Sequence, residues 1–377
     1  AREFRRRYMA PYEGRPLSFA HFSEVRRLGQ RAAEYWLERA LTENLSLQQM
    51  TERIDEGPPG TDDAPSLTEA PTRCQPGGFY ALGEHRLIVG DATDPAVLRT
   101  LLGEERAAMV WTDPPYGVDY VSIGRQTKAN KRWLQAQASG PEVTQEDIER
   151  EAGIKEIAHD TEADLARLLS RAWASLRAVL ADGAPFYVAG PQGRNVETFL
   201  ASFRESGWDV KSMLVWSKNA MVFGRGDYHR KHEAVFYGYT PTTEGRALGR
   251  IQGLQKRDGS TRWYGGDGET TVFDVARPSR SDDHPTMKPV GLIKPHVMNS
   301  SLPGEIVLDP FAGSGSTMIA AEQTGRRAYM VELDPRYADV IVARWERYLA
   351  EQERVVQPVV EGVATPREDI GPTAFEE

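Results

Sequence analysis

The chain has 377 residues, 40% of them hydrophobic, and a formal net charge of −9. That balance is ordinary for a globular protein, and the length allows one large α/β domain plus a smaller one. No apolar run approaches the ~20 residues of a membrane span, Ala1 to Arg7 carries no apolar signal region, and the single cysteine, Cys74, excludes an intramolecular disulfide; together these predict a cytoplasmic protein with no membrane partner.

Residues 1–73 read as a helical appendage and linker. Apolar residues recur at helical spacing in Phe22 to Leu28 and Ala32 to Leu41, and Leu45 to Ile54 fits a third helix. This segment suits a DNA-contacting or dimerising appendage or a plain packing cap, and the cap is the simpler reading. Gly57 to Gly78, rich in Pro, Gly, Asp and Thr, reads as a linker that holds Cys74.

A catalytic domain is expected over 74–350. His85 to Val89 predicts a strand, followed by Gly90, Asp91 and Ala92. Ala107 to Thr112 predicts a buried strand that ends in Asp113-Pro114-Pro115-Tyr116. A carboxylate, two prolines and an aromatic ring at a strand's carboxyl end form a rigid, acceptor-rich corner with a stacking face, suited to a planar base with an exocyclic amine. Val118 to Thr161 is a long polar stretch containing Lys128, Lys131, Arg132 and Trp133, and structureless loops of that length are usually either functional or disordered. Thr161 to Leu180 predicts an amphipathic helix. Ala184 to Ala189 predicts a strand, Val196 to Glu205 a helix, and Trp208 to Trp216 and His232 to Tyr237 two more strands. Strands alternating with helices predict a parallel, doubly wound α/β sheet. Thr240 to Asp283 reads as irregular and basic. Between Gly224 and Arg262 eight basic residues, among them Arg225, Arg230, Lys231, Arg250, Lys256 and Arg257, stand against four acids. That local stripe offsets the acidic average and suits either an ordinary solvated loop or DNA contact, and its placement between two chemical motifs favours the latter. The tail over 351–377 reads as a surface segment.

The second chemical signal is Val307 to Thr317. A strand ends at Asp309, and Phe311, Gly313, Ser314, Gly315, Ser316 and Thr317 form a glycine turn opening a helix. The glycines admit a ligand close to the backbone, and Ser314, Ser316 and Thr317 lie where the helix's free amides point outward, which offers an anion site. A further strand, Arg327 to Val331, ends at Glu332, which lies 19 residues past Gly313. An acid about 20 residues downstream, at the tip of the second strand, binds ribose in Rossmann-type folds. Met318 stands where a third glycine would stand in a dinucleotide motif, which favours another nucleoside cofactor.

The chain resembles the beta group of S-adenosylmethionine-dependent amino DNA methyltransferases, whose catalytic motif precedes the cofactor motif. Asp113-Pro-Pro-Tyr-Gly117 resembles the former and Asp309-Pro-Phe-Ala-Gly-Ser-Gly-Ser-Thr317 the latter. His284 to Val290 resembles a segment of the methionine pocket, Gly90-Asp91-Ala92 one near the adenine, and Trp216-Ser-Lys218 with His232-Glu233 a fifth match. The resemblance spans about Tyr80 to Leu349 and implies a Rossmann-like methyltransferase fold that takes S-adenosylmethionine and double-stranded DNA. It implies Asp113, Pro114, Pro115 and Tyr116 as catalytic residues. It also implies Asp91, Ala92, Asp113, Thr286, Lys288, Asp309, Phe311, Gly313, Ser314, Gly315, Ser316, Thr317 and Glu332 as cofactor contacts. Lys128, Lys131 and Arg132 join the basic stripe as DNA-contact candidates, and 118–161 and 240–283 become candidate lid and target-reading regions.

Carbon-5 methylation of cytosine needs a thiolate. Cys74 lies outside every motif, so the acceptor is expected to be an exocyclic nitrogen. The leading Asp of the catalytic motif favours adenine N6, with cytosine N4 the alternative. A non-catalytic DNA- or cofactor-binding regulator and a Rossmann oxidoreductase are the readings from other classes. A homodimer and a cognate restriction endonuclease are partners the sequence leaves open. No two Cys or His residues have metal-ligand spacing. Trp111 and Trp216 are expected in the core, and Arg194 and Lys218 at the surface.

Overall fold

The computed structural model describes residues 17–28, 30–57, 62, 64–65, 67, 72–117, 162–193, 195–222, 227–242, 262–266, 268–276 and 287–351. Nine strands, β1 (Phe79–Leu82), β2 (His85–Val89), β3 (Met109–Thr112), β4 (Pro185–Gly190), β5 (Asp209–Val222), β6 (Arg230–Tyr239), β7 (Val272–Asp274), β8 (Ile306–Asp309) and β9 (Arg327–Glu332), form one sheet. Their order is β1-β2-β9-β8-β3-β4-β6-β5-β7. The five strands from β2 to β4 run parallel. From β8 the chain steps outward to β9, beside which the earlier β2 lies; from β3 it steps the other way to β4. The point of reversal therefore lies between β8 and β3, where an open α/β sheet places its ligand crevice.

The sheet is not wholly parallel, as the alternation of strands and helices had predicted. β6 runs antiparallel to both β4 and β5, β1 antiparallel to β2, and β7 joins the far edge parallel to β5. Chain length explains the correction: only seven residues separate Val222 from Arg230, and a parallel crossover needs a dozen or more. β7 also places a strand inside the stretch expected to be irregular.

β3, β4 and β8 are buried along their whole length, which is why they read as near-continuous apolar runs. One face of the sheet is covered by α7 (Val290–Ser300), α8 (Ser316–Thr324) and α9 (Pro335–Glu351). The other is covered by α4 (Pro95–Leu102), α5 (Glu162–Leu176) and α6 (Asn195–Glu205). α5 stops at Leu176, short of the predicted Leu180, which instead bridges to Ala107 beside β3. Cys74, read as part of a linker, is buried in the first core, and its amide donates to Asp339 Oδ1 at 2.7 Å.

The amino-terminal helices α1 (Phe19–Val25), α2 (Gln30–Thr42) and α3 (Leu47–Glu56) enclose a separate small core around Trp36, Leu37 and Met50 that takes in Met298 of α7. Ser46 opens α3 with a capping box to Gln49. Polar contacts fasten this cap to the sheet's helices. Lys294 Nζ donates to the Ile54 carbonyl. Arg326 Nη1 donates to the Arg27 carbonyl at 2.7 Å, and the Val290 amide at the start of α7 donates to Asp62 Oδ1 at 2.7 Å. Among the described residues, no helix is long and apolar enough to cross a membrane.

Candidate active site

The site is built from the carboxyl ends of β3 and β8, neighbours whose register pairs Met109 with Val307 and Val110 with Leu308. Beyond β3 the chain turns through Asp113 to Gly117. Gly117 has φ +64, and a Cβ there would press on Leu165 and Asn195, so this turn needs glycine. Asn195, at the start of α6, donates to the Tyr116 carbonyl at 2.7 Å and pins the corner from below. Nothing in the motif pattern pointed to Asn195.

The Asp113 carboxylate is held at both oxygens. The Tyr116 hydroxyl donates to Oδ1 at 2.6 Å and the Lys288 ammonium to Oδ2 at 2.6 Å. Lys288, expected among the cofactor contacts, thus sits on the Asp113 carboxylate, buried at 5% exposure. Its ammonium also lies 3.2 Å from Glu233 Oε2 and 5.4 Å from the Tyr116 ring centre. Glu233 in turn pairs with Lys218, whose ammonium stands 4.8 Å from the Trp216 ring. Lys218 is therefore buried, not at the surface as expected, because Glu233 across the β5–β6 ladder supplies its counter-charge. Trp111 and Trp216 are in the core. Burial raises the Asp113 carboxyl above the ordinary aspartate range, with Lys288 opposing it. Burial also works against the Lys288 charge, but Asp113 and Glu233 outweigh it and hold the group above the usual lysine value. Glu233 is pushed upward by burial and pulled further down by Lys288 and Lys218.

The glycine loop is organised differently. Asp309, 2% exposed, accepts from Thr112 Oγ1 at 2.7 Å, Thr317 Oγ1 at 2.6 Å and the Phe311 amide at 3.2 Å. Burial raises its carboxyl to about 6. Thr112 was not anticipated; it ties β3 directly to the loop after β8. Gly313 and Gly315 have φ +54 and +79, and nothing lies within 4 Å of a Cβ built at Gly313. The Gly313 amide donates to Glu332 Oε2 at 2.8 Å and the Asp334 amide to Oε1 at 3.0 Å. Burial raises the Glu332 carboxyl to about 7.

Ser314, Ser316 and Thr317 stand where α8 opens. All three are buried: Thr317 turns to Asp309, and Arg344 Nη1 of α9 donates to the Ser314 carbonyl and Ser316 Oγ, each at 3.0 Å. Arg344 of α9 thus engages Ser316, while Asp309 engages Thr317. At the next strand tip, Asp91 Oδ1 accepts from the Thr93 amide at 2.8 Å, and Ala92 is buried with its carbonyl bonded by Ser175 Oγ at 2.6 Å. Phe311 is half-buried against the second core. Pro114 is buried and Pro115 half-buried beside Asp113.

Of the DNA-contact candidates, Arg230 and Lys231 are described: both are exposed at the outer end of β6, the strand that carries Glu233 into the site. Lys128, Lys131, Arg132, Arg225, Arg250, Lys256 and Arg257 lie outside the described residues, as do Thr286, His284 and Arg194. Burial and Asp339 push the Cys74 thiol up to about 12, away from the thiolate form. Among the described residues no cluster could hold a metal ion.

Residues 107–343 match the family model N6_N4_Mtase, described as DNA methylase. The type II methyltransferase M.Cfr9I of Citrobacter freundii is 32% identical over 154 residues, or 38% of this chain and 46% of that protein. The putative methylase YubD of Escherichia coli (strain K12) is 54% identical over 54 residues, or 14% of this chain and 24% of that protein. The chain thus spans less than half the length of these curated relatives. The solved M1.HpyAVI-SAM complex aligns with a TM-score of 0.44 and 16% identity over 68% of this chain and 98% of that one. The family match begins beside β3 and ends in α9, so it takes in the corner, the ion pairs behind it, the glycine loop and Glu332, and it covers well over half of the chain: the chain belongs to the N6/N4 DNA methylase family.

Proposed function

We propose that the protein is a site-specific DNA methyltransferase that transfers a methyl group from S-adenosylmethionine to adenine N6. The observation that carries this reading is the adjacency of β3 and β8, which brings the Asp113 corner and the glycine loop to one crevice although they lie about 200 residues apart in the chain. Family membership supports methyl transfer to an exocyclic nitrogen of DNA, and the leading Asp of the corner favours adenine over cytosine.

The loop fits a nucleoside cofactor: the space over Gly313 is open, and Glu332 stands beside it with a carboxylate able to accept from ribose hydroxyls. When bound there, S-adenosylmethionine supplies an electrophilic methyl on a sulfonium. The protein's own groups do the rest. An exocyclic amine is a poor nucleophile because its lone pair is drawn into the ring. Asp113 and the Pro114 carbonyl accept its two hydrogens and hold the nitrogen near tetrahedral geometry, so the rate gain comes mainly from alignment. Tyr116 offers its ring to the base face, where stacking contributes ~1–3 kcal/mol. The base must leave the duplex to reach this corner. Asp113 then takes the proton that the methylated nitrogen sheds. Arg230 and Lys231, at the exposed end of β6, are suited to phosphate contact.

Incubating the protein with DNA and isotope-labelled S-adenosylmethionine, followed by nucleoside mass spectrometry and site mapping, tests the proposal. Labelled N6-methyladenine at a defined sequence is expected. Labelled N4-methylcytosine would reassign the acceptor, and no transfer to any DNA would overturn the reading.

A further inference from the structure

Behind the methyl-acceptor corner lies a line of four charges of alternating sign, Asp113, Lys288, Glu233 and Lys218, two from the neighbouring strands β5 and β6 and two from the segments that follow β3 and precede α7. The two ammonium groups are 5% and 7% exposed. Buried charges are retained only where their partners are well placed, and removing one partner leaves its neighbour uncompensated. The innermost contact, Lys288 on Asp113, already neutralises the pair. Glu233 and Lys218 are therefore not needed to balance Asp113, and their presence behind it calls for another explanation.

We propose that Glu233 is a positioning residue for the acceptor corner: it draws part of the Lys288 charge away from Asp113 and holds that ammonium on Oδ2, leaving Oδ1, shared with the Tyr116 hydroxyl, as the acceptor for the incoming amine. This rests on the methyltransferase reading given above. The physical case is electrostatic. The amine nitrogen becomes positive as it is methylated, and Asp113 is useful in proportion to how strongly it accepts from that nitrogen. A lysine fully committed to Asp113 would weaken it as an acceptor and would set an unscreened positive charge beside a developing one. Glu233 offsets that charge at 3.2 Å from Lys288. Lys218 completes the line by keeping Glu233 ionised and aimed inward. The ionisable groups facing Asp113 are Lys288, Tyr116, Glu233 and Asp309, so a change at Glu233 is read against three fixed neighbours.

Glu233→Gln keeps the shape and removes the charge, and it is compared with Lys288→Met. Single-turnover methylation is measured across pH, with melting temperature and S-adenosylmethionine affinity as controls, and Asp113 is titrated directly by 13C-carboxyl NMR of aspartate-labelled protein, using Asp113→Asn to assign the signal. Expected for Glu233→Gln is a roughly tenfold slower single-turnover rate, a fraction of the 10²–10⁴ that a positioned acid–base group contributes, with cofactor affinity unchanged. Its Asp113 titration and the acid limb of its rate profile move to lower pH. In Lys288→Met both move to higher pH. A Glu233→Gln protein that folds and binds cofactor but has the wild-type rate profile and Asp113 titration overturns the inference, as does a shift in the same direction for both variants. If the wild-type protein transfers no methyl group, the methyltransferase reading fails instead, and the NMR titration still reports whether Glu233 acts on Asp113.

Discussion

The two halves of the crevice are held in place by different physics. The corner after β3 is set by charge, through the ion pairs that run from Asp113 to Lys218. The loop after β8 is set by hydroxyl and amide hydrogen bonds: two threonines and a backbone amide on Asp309, and two backbone amides on Glu332. Charge pairs tune how strongly a carboxylate accepts, whereas hydrogen bonds to a buried carboxylate fix its geometry. A half that handles a nucleophile benefits from the first, and a half that cradles a cofactor benefits from the second.

The sharpest way to break this division is to cross-test the two carboxylates. Asp113→Ala is expected to lower single-turnover transfer by roughly 10²–10⁴ while leaving cofactor affinity, by calorimetry, within several-fold. Normal turnover would refute the role given to the corner. Glu332→Ala is expected to do the reverse, weakening the cofactor by about 1.5–3 kcal/mol, the worth of a charge-assisted hydrogen bond. Unchanged affinity would mean the ribose lies elsewhere.

The same residue predicts a pH dependence. The Glu332 carboxyl sits at about 7, and in the proposed role only its ionised form would accept from two ribose hydroxyls. Cofactor affinity should therefore fall as pH drops through 7, and Glu332→Gln should flatten that dependence; a flat wild-type profile counts against the assignment. The smallest effect belongs to Thr317→Val, which removes one of the three donors to Asp309. Chemical denaturation should register a loss of about 1 kcal/mol, with little change in transfer. A large loss of transfer instead would show that the loop, too, acts on the reacting nitrogen.

Much of this arrangement is legible in the chain. β3, β8 and β9 are short apolar runs ending in Asp113, Asp309 and Glu332, and the glycines at 313 and 315 take the left-handed backbone their motif implies. What could not be read is what depends on pairing between distant elements. Lys218, Glu233 and Lys288 look like ordinary polar residues until β5, β6 and the chain before α7 converge. Arg344 looks like one more charge on an amphipathic helix, but it is 1% exposed and fastens the glycine loop. The antiparallel β6 is hard to see in the sequence because the clear strand-like patterning stops at Trp216 and resumes only at His232. With the strands drawn at their full length, Asp209–Val222 and Arg230–Tyr239, the short connection signals a hairpin.

The pairing of β3 with β8 also constrains how the molecule is made. Met109 leaves the ribosome about 200 residues before its partner Val307, so one flank of a fully buried central strand stays unpaired through about half of translation. Contacts of such long range close slowly, and an exposed strand edge invites pairing with other chains. The crevice is thus among the last features to form, and a protein truncated before β8 should aggregate on synthesis, not accumulate as a soluble fragment able to bind DNA.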